Sequence, residues 1–421
     1  MLRILHTADW HLGLLFHGYE RDWEHAGFLE WLLGVIAERQ PDALLLAGDV
    51  FDSVNPPASA QRRYYDFLAR AHAAQPRMQM VVIAGNHDAA SRLEAPQEVL
   101  RGLNISVIGT VPRDGAGEID AAKMVVPLHN AAGAVEAVVA AIPFLRPHDV
   151  PVLAEAADAF LEGVVELHRQ TIEAARLVAQ AHPGAVLLAM GHCHLMDASE
   201  SPESERRIVL GNAEALRVET FPDEVAYVAL GHLHKPQELH GGRIRYSGSP
   251  LPFSFTEHEY RHRVLELTAE AGAVAVEELG VPRHVALLRL PKDGAASLPE
   301  VLRVLRETEF DATLPPEAWP FLEVRVLDDG PDPTRRRRVE QALEGKPVRL
   351  VPLKQERVRS GEAASDVDAP LPGLADLSSL DPVDIMAEAH REKFHTEPSP
   401  ALLAALREVL AAEPMLGEGA R

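Results

Sequence analysis

The chain has 421 residues, room for a large core and at least one further domain. It carries 63 acidic side chains against 41 Lys and Arg, a formal net charge of −22, which argues against a free-standing nucleic-acid binder because phosphate contacts supply most non-specific affinity. A single cysteine excludes an internal disulfide and suits a reducing cytoplasm, and no apolar run reaches the roughly 20 residues of a membrane span.

Leu2 to Ala8 reads as a buried strand that begins almost at the N-terminus, with no signal-peptide pattern, and runs into Asp9-Trp10-His11. An amphipathic helix is predicted over Asp22 to Glu38. The strand Ala43 to Ala47 ends in Gly48-Asp49-Val50-Phe51-Asp52, and a helix over Ala58 to Ala73 follows. Met78 to Ala84 leads into Gly85-Asn86-His87-Asp88. A long helix over Ala156 to Ala181 precedes the strand Ala185 to Met190 and its Gly191-His192-Cys193-His194. Val225 to Leu230 leads into Gly231-His232-Leu233-His234. Asp, His and Asn thus recur at the carboxyl ends of five strands, the edge where open α/β sheets build their sites.

A smaller α/β unit begins near Val281-Pro282, with strands Val285 to Leu290, Phe321 to Val326 and Val348 to Pro352 and helices Leu298 to Glu307 and Pro333 to Leu343. From Lys354 to Leu380 the periodicity fails, and Gly- and Pro-rich stretches read as a mobile linker. Asp381-Pro382 then starts a helix with a Val383, Ile385, Met386, Ala389, Phe394 stripe. Ser399-Pro400 starts another, with Leu402, Leu403, Leu406, Val409 and Leu410 on one face. Two short amphipathic helices after a linker cannot bury both faces alone, so a partner's groove is favoured over packing back onto the body.

The five blocks specify a two-metal phosphoesterase. Hydrolysis of a phosphodiester near neutral pH needs a deprotonated water and stabilised phosphoryl charge, and two cations roughly 4 Å apart supply both. The pair needs one bridging carboxylate, imidazoles to complete each shell, and no bulk on the open face. Mixed His, carboxylate and amide donors without thiolate suit Mn, Fe or Zn rather than a structural zinc. Asp49 stands alone after its strand, beside a glycine that permits close backbone approach, and is the natural bridge. Asp88 could orient the His87 ring or raise its basicity. For His6, His17, His25, His129 and His240 a surface or packing role is the default. His192 and His194 mimic the last block, so spacing leaves either one open as a ligand; Cys193 between them reads as a packing residue.

These blocks resemble the calcineurin-type metallophosphoesterase superfamily. Two further stretches resemble, within it, the SbcD family of nucleases: Ser199-Glu200-Ser201, Ser204-Glu205-Arg206 and Gly211-Asn212-Ala213-Glu214 after Gly191-His192, and Tyr246-Ser247-Gly248-Ser249-Pro250 after the last block. The likeness spans nearly the whole chain and implies a two-sheet α/β sandwich over residues 1–280, a capping domain over 281–353, a linker over 354–380 and a helical ATPase-docking segment over 381–413. Matched position by position, it implies one metal on Asp9, His11, Asp49 and His234 and a second on Asp49, Asn86, His192 and His232, with His87 as the catalytic histidine. Asp52 stands where other relatives carry a histidine, and no catalytic role is assigned to it. The resemblance further implies two Mn ions and a cytoplasmic nuclease for single strands, hairpins and duplex ends in DNA recombination, replication and repair, working as a dimer with an SbcC-type ATPase. The acidic balance suggests that the partner, or a groove made by the dimer, grips much of the DNA. A small-nucleotide phosphodiesterase with the same metals is the alternative within enzymes, and a metal-dead scaffold for an ATPase the one outside them.

Overall fold

The chain is described from a computed structural model over residues 1–153, 158–201, 215–270, 272–292, 294–328, 330, 332–357, 398–399 and 402–403. Strand β1 (Leu2–Thr7) precedes a small hairpin, β2 (Leu15–Phe16) with β3 (Tyr19–Glu20). There follow α1 (Asp22–Arg39), β4 (Ala43–Ala47), α2 (Ala58–Ala74), β5 (Gln79–Ile83), the short α3 (Ala90–Glu94) and α4 (Gln97–Arg101), and β6 (Ile105–Ile108). The next stretch holds β7 (Val125–His129), β8 (Val135–Ala141), α5 (Ala159–Gln180), β9 (Val186–His192), β10 (Tyr227–Gly231), β11 (Gln237–Leu239) and β12 (Ile244–Tyr246). After β13 (Arg263–Glu270) and β14 (Ala273–Gly280) come β15 (Leu287–Leu290), α6 (Leu298–Glu307), β16 (Phe321–Asp328), α7 (Arg335–Ala342) and β17 (Arg349–Arg357).

Two six-stranded sheets, ordered β14-β13-β1-β4-β5-β6 and β11-β12-β10-β9-β8-β7, face each other as the expected sandwich. The run Ala43-Leu44-Leu45-Leu46-Ala47 shows why: Ala43, Leu45 and Ala47 join the core with Leu188 and Val228 of the second sheet. Leu44 and Leu46 turn the other way, onto Phe28, Leu32 and Ile36 of α1 and Phe67 of α2. Covered on both faces, the strand reads as a continuous apolar run rather than an alternating one. Helix α5 lays Val164, Leu167, Ile172 and Ala175 against the outer face of the second sheet. Strands β1, β4 and β5 are mutually parallel, as are β9 and β10, so each group delivers its loops to one edge. The two edges meet, for His232 N–H donates to Asp9 Oδ1 across them at 2.9 Å.

The third sheet, β15-β16-β17, is wholly parallel. Its Leu322, Val324 and Val326 pack on Leu298, Val301, Leu302 and Leu305 of α6 and Val339 of α7. Its opposite face puts Leu287, Phe321 and Val351 against Phe16 and Phe255. Residues 1–357 lie in one compact unit. Residues 354–357 correct the predicted start of the linker: Lys354 to Arg357 continue β17, paired with Arg325 to Asp328. Their polarity suits an edge strand, which the Lys354–Glu323 ion pair at 3.1 Å ties to its neighbour. The rest of the expected linker and most of segment 381–413 lie outside the described residues. At its one visible turn, the Ser399 carbonyl accepts the Leu402 and Leu403 N–H groups, in keeping with a helix start there.

Candidate dimetal site

The loops after β1 and β4 are zipped together by Asp9 N–H to the Gly48 carbonyl and His11 N–H to the Asp49 carbonyl, both 3.0 Å. Trp10 is the anchor between the two donors. Fully buried against Phe28 and Phe67, it donates its indole N–H to Thr7 Oγ1 at 2.9 Å. Asp9, His11, Asp49 and His232 all have left-handed backbones, with φ of 54°, 44°, 48° and 98°. Such conformations are uncommon outside glycine and gather where surrounding structure enforces them at functional sites.

The Asp49 carboxylate lies at the centre. Its Oδ2 is 3.5 Å from His11 Nε2 and 3.4 Å from His192 Nε2, and its Oδ1 accepts the His87 backbone N–H at 2.9 Å. The glycines of the blocks make the room. A Cβ on Gly85 would stand 2.1 Å from Asp49 Oδ1, and one on Gly48, whose φ is +87°, would stand 2.3 Å from His192 Nδ1. Asn86 Oδ1 lies 3.0 Å from His192 Nε2 and 3.2 Å from His232 Nδ1. Potential ligand atoms of Asp9, His11 and His234 fall within 4.8 Å of one another, as do those of Asp9, Asp49 and His192. Asp9 thus lies beside both groups. All seven expected ligands converge on this edge.

His194 lines the same cavity as His192 and His232. Its Nδ1 lies 3.3 Å from Glu200, and its carbonyl accepts the Leu216 N–H. His192 is itself the last residue of β9, which runs two residues past the predicted strand end at Met190. The suggestion that Asp88 orients His87 is corrected. Asp88 is fully buried and accepts the backbone N–H groups of Val50, Phe51 and Gly85, stapling two loops. The His87 ring is instead held through Nδ1 by the Asp52 carbonyl at 2.7 Å. Two carboxylates outside the expected set also reach the ligand histidines. The Asp52 carboxylate lies 3.3 Å from His11 Nδ1, and the buried Glu257 carboxylate lies 3.4 Å from His234 Nδ1. Asp52 was visible in its block; nothing in the sequence marks Glu257, 23 residues beyond its partner.

Electrostatically the site sets carboxylates and imidazoles against one another in a buried setting. Burial opposes charge on His192, but Asp49 and Asp9 outweigh it and lift that ring to about 9. Burial opposes charge on Asp49 too, yet the histidines around it hold its carboxyl well below the usual range. Burial, then the neighbouring His192, push His232 well below its ordinary value. Two buried atoms aimed at this region, Asp9 Oδ2 and His11 Nε2, have no hydrogen-bond partner among the described residues. Orphaned acceptors of this kind are costly unless something binds them. With carboxylate, imidazole and amide donors and no thiolate, the residues fit divalent metal ions.

A family profile described as calcineurin-like phosphoesterase matches residues 2–236. A second, described as the type 5 capsule protein repressor C-terminal domain, matches residues 283–394. Fold, donor set and profile together define a metallophosphoesterase, an enzyme of the dimetal phosphodiesterase class. The SbcD component of nuclease SbcCD from Rhodobacter capsulatus is 42% identical over 369 residues, covering 86% of this chain and 90% of its own. Its namesakes from Escherichia coli K12 (32% identical, covering 85% of this chain and 86% of their own) and Bacillus subtilis (34%, covering 78% and 80%) are also similar. The chain belongs to the SbcD family of nucleases. Among the described residues no helix is long and apolar enough to cross a membrane.

Proposed function

We propose that the chain is a manganese-dependent DNA nuclease that cuts single strands and hairpins. With an SbcC-type ATPase it also digests duplex ends, as a dimer in the cytoplasm serving recombination, replication and repair. The relatives' shared name, which makes each of them one component of an SbcCD nuclease, supports the partner. Asp9, His11, Asp49 and His234 would hold one ion, and Asp49, Asn86, His192 and His232 the other. The bound pair would activate water and neutralise phosphoryl charge. The observation that carries this reading is the Asp49 carboxylate lying 3.5 Å from His11 and 3.4 Å from His192.

The chain's own residues do the rest. The Asp52 carbonyl accepts the His87 Nδ1 proton, which leaves Nε2 to meet the phosphate and, when the ring is doubly protonated, to give its proton to the leaving oxygen. Phe253 packs against His11 and His234 at 4.9 Å each and limits their rotation. Residues 281–353 would act as a cap that helps select DNA, and 381–413 as the docking segment behind a linker. A gel assay on single-stranded DNA with and without manganese tests the core of this. Cleavage that needs the metal supports a nuclease. Hydrolysis confined to small nucleotide diesters would favour the alternative phosphodiesterase, and no hydrolysis with any divalent ion would leave a scaffold.

A further inference from the structure

Different groups stand behind the histidines of the two proposed metal positions. His11 turns Nε2 inward, and its Nδ1 lies 3.3 Å from the Asp52 carboxylate. His234 has the Glu257 carboxylate 3.4 Å from its Nδ1. Glu257 is fully buried, and its other oxygen accepts the Phe253 backbone N–H at 2.7 Å, which pins it in place. On the other side, His192 Nδ1 donates to a neutral backbone carbonyl, that of Ala47, at 2.8 Å. His232 turns Nδ1 to the amide oxygen of its fellow ligand Asn86 at 3.2 Å, and among the described residues no carboxylate forms an ion pair with its ring.

We infer that Asp52 and Glu257 are positioning residues for His11 and His234, and that they make the Asp9–His11–Asp49–His234 position the tightly held one. The position of Asn86, His192 and His232 is then the one that exchanges. This rests on the ligand assignment proposed above. A carboxylate that accepts the Nδ1 proton fixes the tautomer with its Nε2 lone pair inward, raises the basicity of that nitrogen, and adds negative charge near the cation. A backbone carbonyl fixes the tautomer without adding charge. Two carboxylates therefore favour one position beyond anything in its direct donors. Activity would follow occupancy of the weaker position, so that metal supply acts as a throttle on the enzyme.

Manganese titration of the full chain without substrate tests this, read by calorimetry and by the paramagnetic resonance signal of free ion. The unaltered chain should show two unequal steps. Glu257→Gln, nearly isosteric, should weaken the tight step by about 10–100-fold and leave the weak step within about threefold. Asp52→Asn should act in the same direction; its side chain is 31% exposed, so it carries the test alone should the Glu257 variant fail to fold. His192→Ala should remove the weak step and spare the tight one. If both steps weaken equally in the two carboxylate variants, the positional claim is overturned. If the tight step survives both variants but is lost in His11→Ala, this inference fails and the ligand assignment stands. If neither His11→Ala nor Asp49→Asn alters either step, the assignment itself fails.

Discussion

At the scale of single residues, geometry separates chemistry from ligation. His87 reaches the centre through its backbone, on Asp49, while its ring is steered by the Asp52 carbonyl. His87→Gln should therefore keep both metals and lose about 10²–10⁴-fold in hydrolysis rate, the usual worth of general-acid help. Metal analysis alongside turnover checks this; a parallel fall in metal content would make His87 a ligand or a prop. His192→Ala should lower metal stoichiometry by one, whereas His194→Ala, whose ring faces Glu200, should leave it nearly unchanged. The reverse outcome would move the ligand by two residues. The donors themselves were legible because each follows a buried strand, a pattern that places side chains as well as naming them. The groups behind them were not. Asp52 lies 41 residues from His11 and Glu257 lies 23 from His234, and only the sheet packing brings these pairs together. Asp88 misled because adjacency in sequence to His87 says nothing about which way a turn sends its side chain.

At the scale of elements, the strands were readable and their order was not. Continuous apolar runs such as Ala43 to Ala47 announce buried parallel strands, but nothing local states that β13, from the far end of the domain, pairs with β1. The end of β17 was missed for a related reason, since a polar edge strand and a linker share a composition. The sandwich also hides a pH response. His6 lies between the sheets, bonded to Tyr227 Oη at 2.9 Å, and His168 sits buried on α5. Burial pushes His6 and His25 down to about 3, and His168 and His262 to about 4. Unfolded, such rings titrate near 6.5, so below that pH the unfolded chain takes up protons that the folded chain refuses. Stability should fall as pH drops from about 6.5 toward 4, by about 1.4 kcal/mol per unit for each ring that stays neutral. Thermal unfolding of chelator-treated protein should give a lower Tm at about pH 5 than at about pH 7.5; an equal or higher Tm would contradict it.

At the scale of the whole molecule, the charge of −22 and the arginines tell one story. Several arginines are engaged within the chain. Arg63 pairs with Asp22, Arg245 with Glu238, Arg263 with Glu278 and Arg336 with Glu340, while Arg243 caps the carbonyls of Phe221, Pro222 and Val225. DNA grip should then depend on association, which gives the C-terminal segment its weight. Cutting the chain after Pro370 leaves residues 1–357, one compact unit, complete. The fragment should stay folded and nick single-stranded DNA with manganese, yet lose the ATPase and all ATP-stimulated cutting of duplex ends. Leu402→Asp with Leu406→Asp in the full chain should mimic it. Undiminished pull-down of the ATPase by the fragment would move the docking surface elsewhere. The central claim is that one carboxylate serves two cations, and Asp49→Asn tests it most directly. Metal titration of that variant should show both binding steps lost or severely weakened together, with the fold intact by circular dichroism; one step surviving at full strength would contradict the shared site.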